Sequence, residues 1–210
     1  MGKASTAQEE ARISERAWPP PQGQWTYEDW LRLPDDGYRY EVIDGVLYMA
    51  PPPSTLHQRI AARLVEALTA FLRDDPPPLK GEVLFAPTGV RLPSQPVPFQ
   101  PDILFIRAER LKILGEQYVE GAPDLIIEIL PPGNWLYDRR EKMRAYQEGR
   151  VAEYWIVDPD ARTIEVYVLE GEAYRLAGRY GLGEIVRSQV VTGFRVPVAQ
   201  VFPSALERVE

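Results

Sequence analysis

Apolar and polar residues follow two different periods along this chain. Between residues 54 and 74, apolar residues recur every three or four positions, which predicts a long helix with Ser54 or Thr55 as its N-cap. A second amphipathic helix is predicted over residues 134–150, with Asn134 as its N-cap and Gly149 as its stop signal. A third, shorter helix is predicted over residues 26–34, with Thr26 as its cap and Leu33-Pro34 at its end. Residues 109–121 are predicted to form a short helix and a loop.

Strands are predicted where β-branched and aromatic residues alternate with polar ones. Asp44 and Gly45 separate two such segments, 38–43 and 46–50, and predict a hairpin with a tight turn. The stretch APDLIIEIL, residues 122–130, is almost continuously apolar, as in a central strand that is buried on both faces. The whole pattern predicts an α/β (α+β) protein, in which helices flank a mixed β-sheet.

Length and composition indicate one globular domain. The chain has 210 residues, which suits a single hydrophobic core. Residues 1–24 are polar and contain a proline cluster, so we predict a disordered or loosely attached arm there and a single domain over residues 25–210. An apolar run of about eighteen residues is missing, and the N-terminus lacks the apolar segment of a secretory signal. We therefore expect a cytoplasmic protein without membrane contact.

Charge and the metal-binding side chains narrow the chemistry. The chain has no cysteine and one histidine, His57, which excludes thiolate sites and multi-histidine zinc sites within one chain. A bound metal must then be held by oxygen atoms, which favours Mg²⁺, Mn²⁺ or Ca²⁺. The net charge of −7 is not that of a bulk nucleic-acid binder, although a local basic rim around an acidic site is compatible with a DNA substrate.

Two predicted strands carry carboxylates where apolar residues are expected. QPDILFI begins with Asp102 after a proline, and APDLIIEIL contains Asp124 and Glu128. At about 3.3 Å per residue, Asp124 and Glu128 are roughly 13 Å apart, too far to share one ion. Neighbouring strands lie about 5 Å apart, so Asp102 is the natural partner of Glu128. We predict that a divalent metal ion compensates the cost of burying these two carboxylates.

Each carboxylate also has a structural interpretation. An aspartate that follows a proline at a strand start is commonly a turn or cap residue, which applies to Asp102 and especially to Asp124. Glu128 stands among leucines and isoleucines, where a structural ion pair, for example with an arginine, would also explain a buried carboxylate.

Five motifs in order resemble a known family. They are YEVIDGVLYMAPPPSTLHQRI, QPDILFI, EGAPDLIIEIL, DRREKMRAY and AEYWIVDPDARTIEVY. Together, over roughly residues 25 to 203, they resemble the Uma family of restriction-endonuclease-like proteins, within the PD-(D/E)XK nuclease superfamily. The resemblance implies a restriction-endonuclease-like core, with a mixed β-sheet flanked by helices, and metal-dependent cleavage of phosphodiester bonds.

The resemblance also implies roles for particular residues. Asp102 matches the aspartate of the first motif and Glu128 the acid of the second, and both would bind Mg²⁺ or Mn²⁺ together with the carbonyl of Ile129. The superfamily's lysine normally follows the second acid by two positions. Leu130 occupies that position here, so Lys142 on the following helix is the expected substitute.

Two further residues and one departure complete the comparison. Glu41 matches an additional upstream acid, and His57 matches a histidine at the start of the first long helix, as a general acid or phosphate contact. Alternatively, His57 is an ordinary helix-start residue, and Lys142 forms a surface pair with Asp138. Residues 131–133 read PPG, where family members usually have a Ser-Pro-Ser type of turn, which puts activity in question.

These observations predict a divalent-metal-dependent endonuclease that cleaves DNA and forms a homodimer. One alternative is a catalytically silent nuclease relative that binds nucleic acid or a protein partner. Another is a hydrolase that uses the carboxylate pair on a different bond, such as a glycosidic bond.

Overall fold

The computed structural model describes residues 18–74, 80–131 and 138–203. Its strands, in chain order, are β1 (Arg39–Ile43), β2 (Val46–Ala50), β3 (Gly81–Phe85), β4 (Gly89–Arg91), β5 (Ile103–Arg107), β6 (Tyr118–Glu120), β7 (Leu125–Ile129), β8 (Glu153–Asp158), β9 (Thr163–Glu170), β10 (Ala173–Tyr180), β11 (Ile185–Arg187) and β12 (Arg195–Pro197).

Most helices in the described ranges are short. The α-helices are α1 (Tyr27–Trp30), α2 (Thr55–Arg73), α3 (Met143–Glu148) and α4 (Val198–Val201). A 3₁₀ helix spans Ala108–Ile113, and a π-helical turn, Asp138–Lys142, leads directly into α3. None of the helices in these described ranges is both long enough and apolar enough to cross a bilayer.

A six-stranded mixed sheet organises the domain. Its strand order is β10-β9-β8-β7-β5-β3. β7 and β8 are parallel, and the other neighbours in this sheet are antiparallel. The crossover from β7 to its parallel neighbour β8 contains the π-helical turn and α3, as parallel pairing requires a long connection. The predicted fold class, a mixed sheet flanked by helices, is confirmed.

Strand β7 is the central strand that its apolar sequence predicts. All five of its residues are buried, and it lies between β5 and β8. Because successive side chains point to opposite faces, Ile127 packs with α2 in one core cluster, whereas Ile126 packs with α3 in the other. Glu128 has the parity of Ile126 and so points toward the α3 face.

Helix α2 covers one face of the sheet. Its N-cap is Ser54, one of the two caps that the sequence predicts, and the Ser54 hydroxyl accepts a hydrogen bond from the His57 backbone N–H. Ile60, Leu64 and Leu68 are completely buried against the sheet. The cap fixes where the helix begins, and His57 therefore lies in its first turn.

The hairpin β1–β2 closes through the predicted Asp44-Gly45 turn. Both turn residues have positive φ angles, 49° and 74°, as a tight hairpin turn requires. The preceding segment packs on this hairpin: the Gln22 side chain exchanges hydrogen bonds with the Leu47 backbone, and the Trp25 N–H donates to the Gly45 carbonyl. Residues 1–17 of the predicted arm lie outside the described residues.

Several local predictions differ from the structure. The region 109–121 was expected to be a short helix and a loop, but it also contains β6, which pairs with β4 in a separate two-stranded sheet. The pairing is non-local and only three residues long, so the local pattern carries little signal for it. Helix α1 ends at Trp30, earlier than the predicted end at Leu33-Pro34. Asn134, the predicted N-cap of the second amphipathic helix, lies outside the described residues.

The Asp44-Gly45 turn generates a stability prediction. A Cβ atom at Gly45 would lie 2.6 Å from the Gly23 carbonyl oxygen, whereas a Cβ at Gly171, which also has a positive φ, would meet no atom within 4 Å. Gly171→Ala should cost roughly 1 kcal/mol for backbone strain alone. Gly45→Ala should cost more, on the order of 2–3 kcal/mol, because the methyl group also clashes with backbone. Urea unfolding of both variants measures the difference, and equal losses would contradict the packing of residues 22–25 on the hairpin.

Candidate active site

One cavity brings together all five side chains that the sequence suggests. It has a volume of about 260 Å³ and opens where β5 begins and β7 ends. Its wall is formed by Arg39, Glu41, Ala50, Pro51, Pro52, Pro53, Ser54, His57, Asp102, Glu128, Ile129, Pro131 and Lys142. These residues come from β1, β2, the start of α2, β5, β7 and the crossover that follows it.

Asp102 accepts hydrogen bonds on both of its carboxylate oxygens. Its Oδ2 accepts from the Ile129 N–H at 2.8 Å and lies 3.0 Å from His57 Nε2. Its Oδ1 accepts from Arg39 at 3.1 Å. Burial alone would raise the pKa of Asp102, but the hydrogen bond from His57 and the charges of His57, Arg39 and Lys142 lower that pKa to about 2. Asp102 is therefore ionised throughout the ordinary pH range.

Glu128 and Glu41 share the ammonium group of Lys142. The Lys142 Nζ atom lies 3.0 Å from Glu128 Oε1 and 3.0 Å from Glu41 Oε2, and all three side chains are nearly completely buried. The Tyr146 hydroxyl, one helical turn after Lys142, also donates to Glu128 Oε1 at 2.6 Å. Burial and the Glu128 charge raise the pKa of Tyr146 well above its usual value, so this hydroxyl remains a donor.

The strand register explains why Asp102 and Glu128 meet. β5 and β7 are antiparallel, with Ile103 opposite Ile127, so the next pair along the ladder is Asp102 opposite Glu128. This pairing is the one that the sequence predicts. Asp124 lies at the other end of the same two strands. There it accepts hydrogen bonds from the Arg107 backbone N–H and from the Arg110 guanidinium. Asp124 thus makes its contacts outside the cavity.

The structure bears on three alternatives from the sequence. Lys142 is only 2 % exposed, so it is a buried residue and not the surface residue that its alternative expected. Glu128 is in an ion pair, as its structural interpretation expected, and Lys142 is a partner in it. His57 is also more than a helix-start residue: it is 7 % exposed, and its buried Nδ1 has no hydrogen-bond partner among the described residues.

Sequence reasoning missed two residues of this site, Arg39 and Tyr146. Arg39 stands two positions before Glu41 on β1, and side chains two apart on a strand share a face. Tyr146 follows Lys142 by four positions, which places both on one face of a helix. Both spacings are visible in the sequence. Neither arginine nor tyrosine is a usual metal ligand, however, so a pattern of carboxylates does not indicate them.

The charges around the cavity nearly balance. Glu41, Asp102 and Glu128 carry three negative charges, and Arg39 and Lys142 carry two positive ones, which leaves one negative charge when His57 is neutral. Burial opposes the charge on Arg39, but the attraction of Asp102, Glu41 and Glu128 outweighs it and raises its pKa above the usual value. The cavity is thus weakly acidic and already contains two cationic side chains.

The donor set fits a hard divalent cation in part. Across residues 18–74, 80–131 and 138–203, no three His, Asp or Glu side chains are arranged to hold a metal ion. The reason is visible: Lys142 lies between Glu41 and Glu128, and Arg39 lies against Asp102. Mg²⁺, however, commonly uses only one or two carboxylates, with water and substrate oxygens as its other ligands. Asp102 and Glu128 meet that requirement.

Comparison with known proteins identifies a family and solved structures of similar fold. The model of the Uma2 family, described as "Putative restriction endonuclease", matches residues 27–199. A sequence comparison with curated proteins finds no match. Among solved structures, the chain is similar to a crystal structure described as a "putative nuclease belonging to DUF820" from Anabaena variabilis ATCC 29413, with a TM-score of 0.67 and 18% identity over 84% of this chain and 97% of that chain.

The two matches support different statements. At 18% identity, the structural match shows a shared fold with that protein. The family match shows membership of a family, because it covers the chain from α1 to within α4. It includes every cavity residue named above. The resemblance inferred from the sequence motifs is confirmed: this chain belongs to the Uma2 family of restriction-endonuclease-like proteins.

Proposed function

We propose that this protein is a divalent-metal-dependent endonuclease that hydrolyses phosphodiester bonds of DNA. The family and the fold support a nuclease in general. The observation that carries the finer proposal is the convergence of Asp102, Glu128, Lys142 and His57 in one cavity, from separate elements of the chain. Ionised carboxylates beside a buried lysine are the groups that phosphate chemistry requires.

Asp102 and Glu128, with the backbone carbonyl of Ile129, would hold Mg²⁺ or Mn²⁺. When bound, such an ion acidifies a water molecule and neutralises charge on the phosphate oxygens. The protein prepares these ligands without it: Asp102 stays ionised because of its hydrogen bonds, and Tyr146 fixes the carboxylate of Glu128. Both side chains are therefore oriented before substrate enters.

Lys142 and His57 have supporting roles in this proposal. The Lys142 ammonium, held by Glu41 and Glu128, places a positive charge in the wall of the cavity, where it would stabilise negative charge that develops on the phosphate. Glu41 then acts by holding Lys142. The Nδ1 atom of His57 would contact a phosphate oxygen or protonate the leaving oxygen, since Nε2 is held by Asp102.

The homodimer that the sequence analysis expects remains a prediction. Two strands of a duplex would call for two cavities, and sedimentation of the purified protein would give its oligomeric state directly.

Nicking of supercoiled plasmid tests the proposal. The purified protein should nick the plasmid with Mn²⁺ or Mg²⁺ and not with a chelator. Asp102→Asn and Glu128→Gln keep the shape of each side chain but remove a ligand charge, so each should reduce nicking by at least about a hundredfold.

Asp124→Asn is the matched control, because Asp124 is an equally buried carboxylate of the same two strands but lies outside the cavity. It should nick at close to the wild-type rate. Nicking that survives in both cavity variants would come from another site or a contaminant. If Asp124→Asn were as inactive as the cavity variants, the loss would reflect folding.

A second candidate function is favoured by the pairing of the carboxylates with Arg39 and Lys142. A catalytically silent relative would keep such ion pairs permanently and use the surface to bind nucleic acid or a protein. Wild-type protein that is inert with every ion, and that shows no Mn²⁺ binding in calorimetry, would favour this alternative over the endonuclease.

The low pKa of Asp102 predicts a pH-dependent stability. Its ordinary value is 3.8 and its folded value is about 2. A carboxylate with a depressed folded pKa stabilises the protein above its unfolded pKa, and this contribution disappears as the pH falls through the folded value. The difference corresponds to roughly 2 kcal/mol.

Asp102→Asn should therefore be less stable than wild type at pH 7, and the gap should narrow as the pH falls from about 4 toward 2. Urea unfolding at a series of pH values measures both curves, with Glu172→Gln in an exposed turn as the control. A gap that is constant with pH would show that the charge of Asp102 contributes nothing to stability.

A further inference from the structure

An arginine occupies the position beside Asp102 where the proposed function expects a metal ion. The Arg39 guanidinium lies 3.1 Å from Asp102 Oδ1, and both residues line the cavity. A divalent cation that binds Asp102 must compete with this guanidinium for the same oxygen or share the carboxylate with it. Either arrangement brings the divalent cation close to the side chains of Arg39 and Lys142. One of these two side chains therefore has to move.

Lys142 is the resident cation that is less able to move. It is paired with two carboxylates, and its side chain is 3 % exposed. Removing it from its place would leave Glu41 and Glu128 buried with less compensation, which costs several kcal/mol in typical cases. Its backbone is also fixed, because the π-helical turn in which it lies continues into α3.

Arg39 is held less strongly and lies closer to solvent. Its side chain is 19 % exposed, compared with 3 % for Asp102. If the guanidinium left, Asp102 would still accept hydrogen bonds from the Ile129 N–H and His57. The departure of Arg39 therefore leaves no buried carboxylate without a partner.

The position of Arg39 on its strand suits a mobile side chain. It is the first residue of β1, opposite Ala50, at the open end of the hairpin. From Ala50 the chain continues into Pro51–Pro53, which also form the cavity wall. A long side chain at this place can reach either the base of the cavity or its mouth. Guanidinium groups bind phosphate through two parallel hydrogen bonds, which makes a phosphate oxygen a suitable second partner.

We propose that Arg39 occupies the cation position beside Asp102 in the metal-free protein and transfers to a phosphate oxygen of the nucleic acid when metal and substrate enter. Arg39 then both keeps the empty cavity neutralised and binds the substrate. This inference rests on the proposed function of the same cavity.

The proposal makes two opposite demands on one side chain. Without the guanidinium, Asp102 has one competitor fewer and the cavity gains one negative charge, so a divalent ion should bind more tightly. DNA, in contrast, should bind more weakly because one phosphate contact is lost. An arginine that only supports the fold would weaken both kinds of binding or change neither.

Arg39→Gln tests both demands. Mn²⁺ binding to DNA-free protein, measured from the electron paramagnetic resonance of free Mn²⁺, should become about tenfold tighter, a change equivalent to about 1.4 kcal/mol. Binding of a fluorescein-labelled DNA duplex with Ca²⁺ present, between about 50 and 200 mM salt, should lose roughly 0.9 from the slope of log K against log salt. Gel analysis checks that the duplex stays intact.

Two further variants provide the controls. Arg179→Gln removes an arginine from an equally buried carboxylate, Glu165, at the far edge of the sheet, and should change neither measurement. Arg39→Lys keeps the positive charge and should retain the wild-type salt slope and a Mn²⁺ affinity close to that of wild type. Thermal melting confirms that each variant is folded.

The outcomes separate this inference from the proposed function. Mn²⁺ binding by Arg39→Gln that is no tighter than wild type, or an unchanged salt slope, would overturn the role of Arg39, even if wild-type protein nicks plasmid. Tighter Mn²⁺ binding with a reduced slope would support it, even if no nicking is found. If Arg39→Gln does not fold, Arg39→Met, which also removes the charge, is measured in the same way, and an unchanged salt slope or Mn²⁺ binding no tighter than wild type overturns the role of Arg39.

Discussion

The site depends on a buried lysine that two carboxylates share. Lys142 joins three parts of the chain, since Glu41 belongs to the β1–β2 hairpin, Glu128 to the central strand β7, and the lysine itself to the crossover between β7 and β8. Burying three charges costs several kcal/mol for each ion, and only short, well-oriented contacts can offset that cost. The hairpin, the sheet and the crossover must therefore keep a fixed arrangement for the cluster to exist.

This cluster contributes less to stability than its number of contacts suggests. A well-packed apolar group of similar size is often as stabilising as a buried ion pair. The same sheet shows the difference: Ile126 and Ile127 fill the two faces of β7, while Glu128 of the same strand requires Lys142 and Tyr146 to compensate its charge. Perturbed, buried titratable groups that line a cavity are typical of functional sites, which agrees with the nuclease family of the chain.

The sequence predicts the parts of the structure that depend on local pattern. The hairpin, α2 with its Ser54 cap, and the buried strand β7 follow from turn residues, capping and periodicity. The meeting of Asp102 with Glu128 follows from placing two strands side by side, because distances between neighbouring strands are fixed. Arg39 could not be assigned a partner in this way, because its contact with Asp102 connects the hairpin to a different sheet. Strand β6 was missed for the same reason, since its pairing is decided by tertiary structure.

A crystal of the protein soaked in Mn²⁺ would show whether Asp102 and Glu128 hold a metal ion, because anomalous scattering locates the ion independently of any activity. We expect an anomalous peak within bonding distance of the carboxylate oxygens of Asp102 and Glu128, with the Arg39 guanidinium displaced from Asp102. A cavity that shows no peak, while Lys142 and Arg39 keep their carboxylate contacts, would contradict a metal-dependent active site at this position.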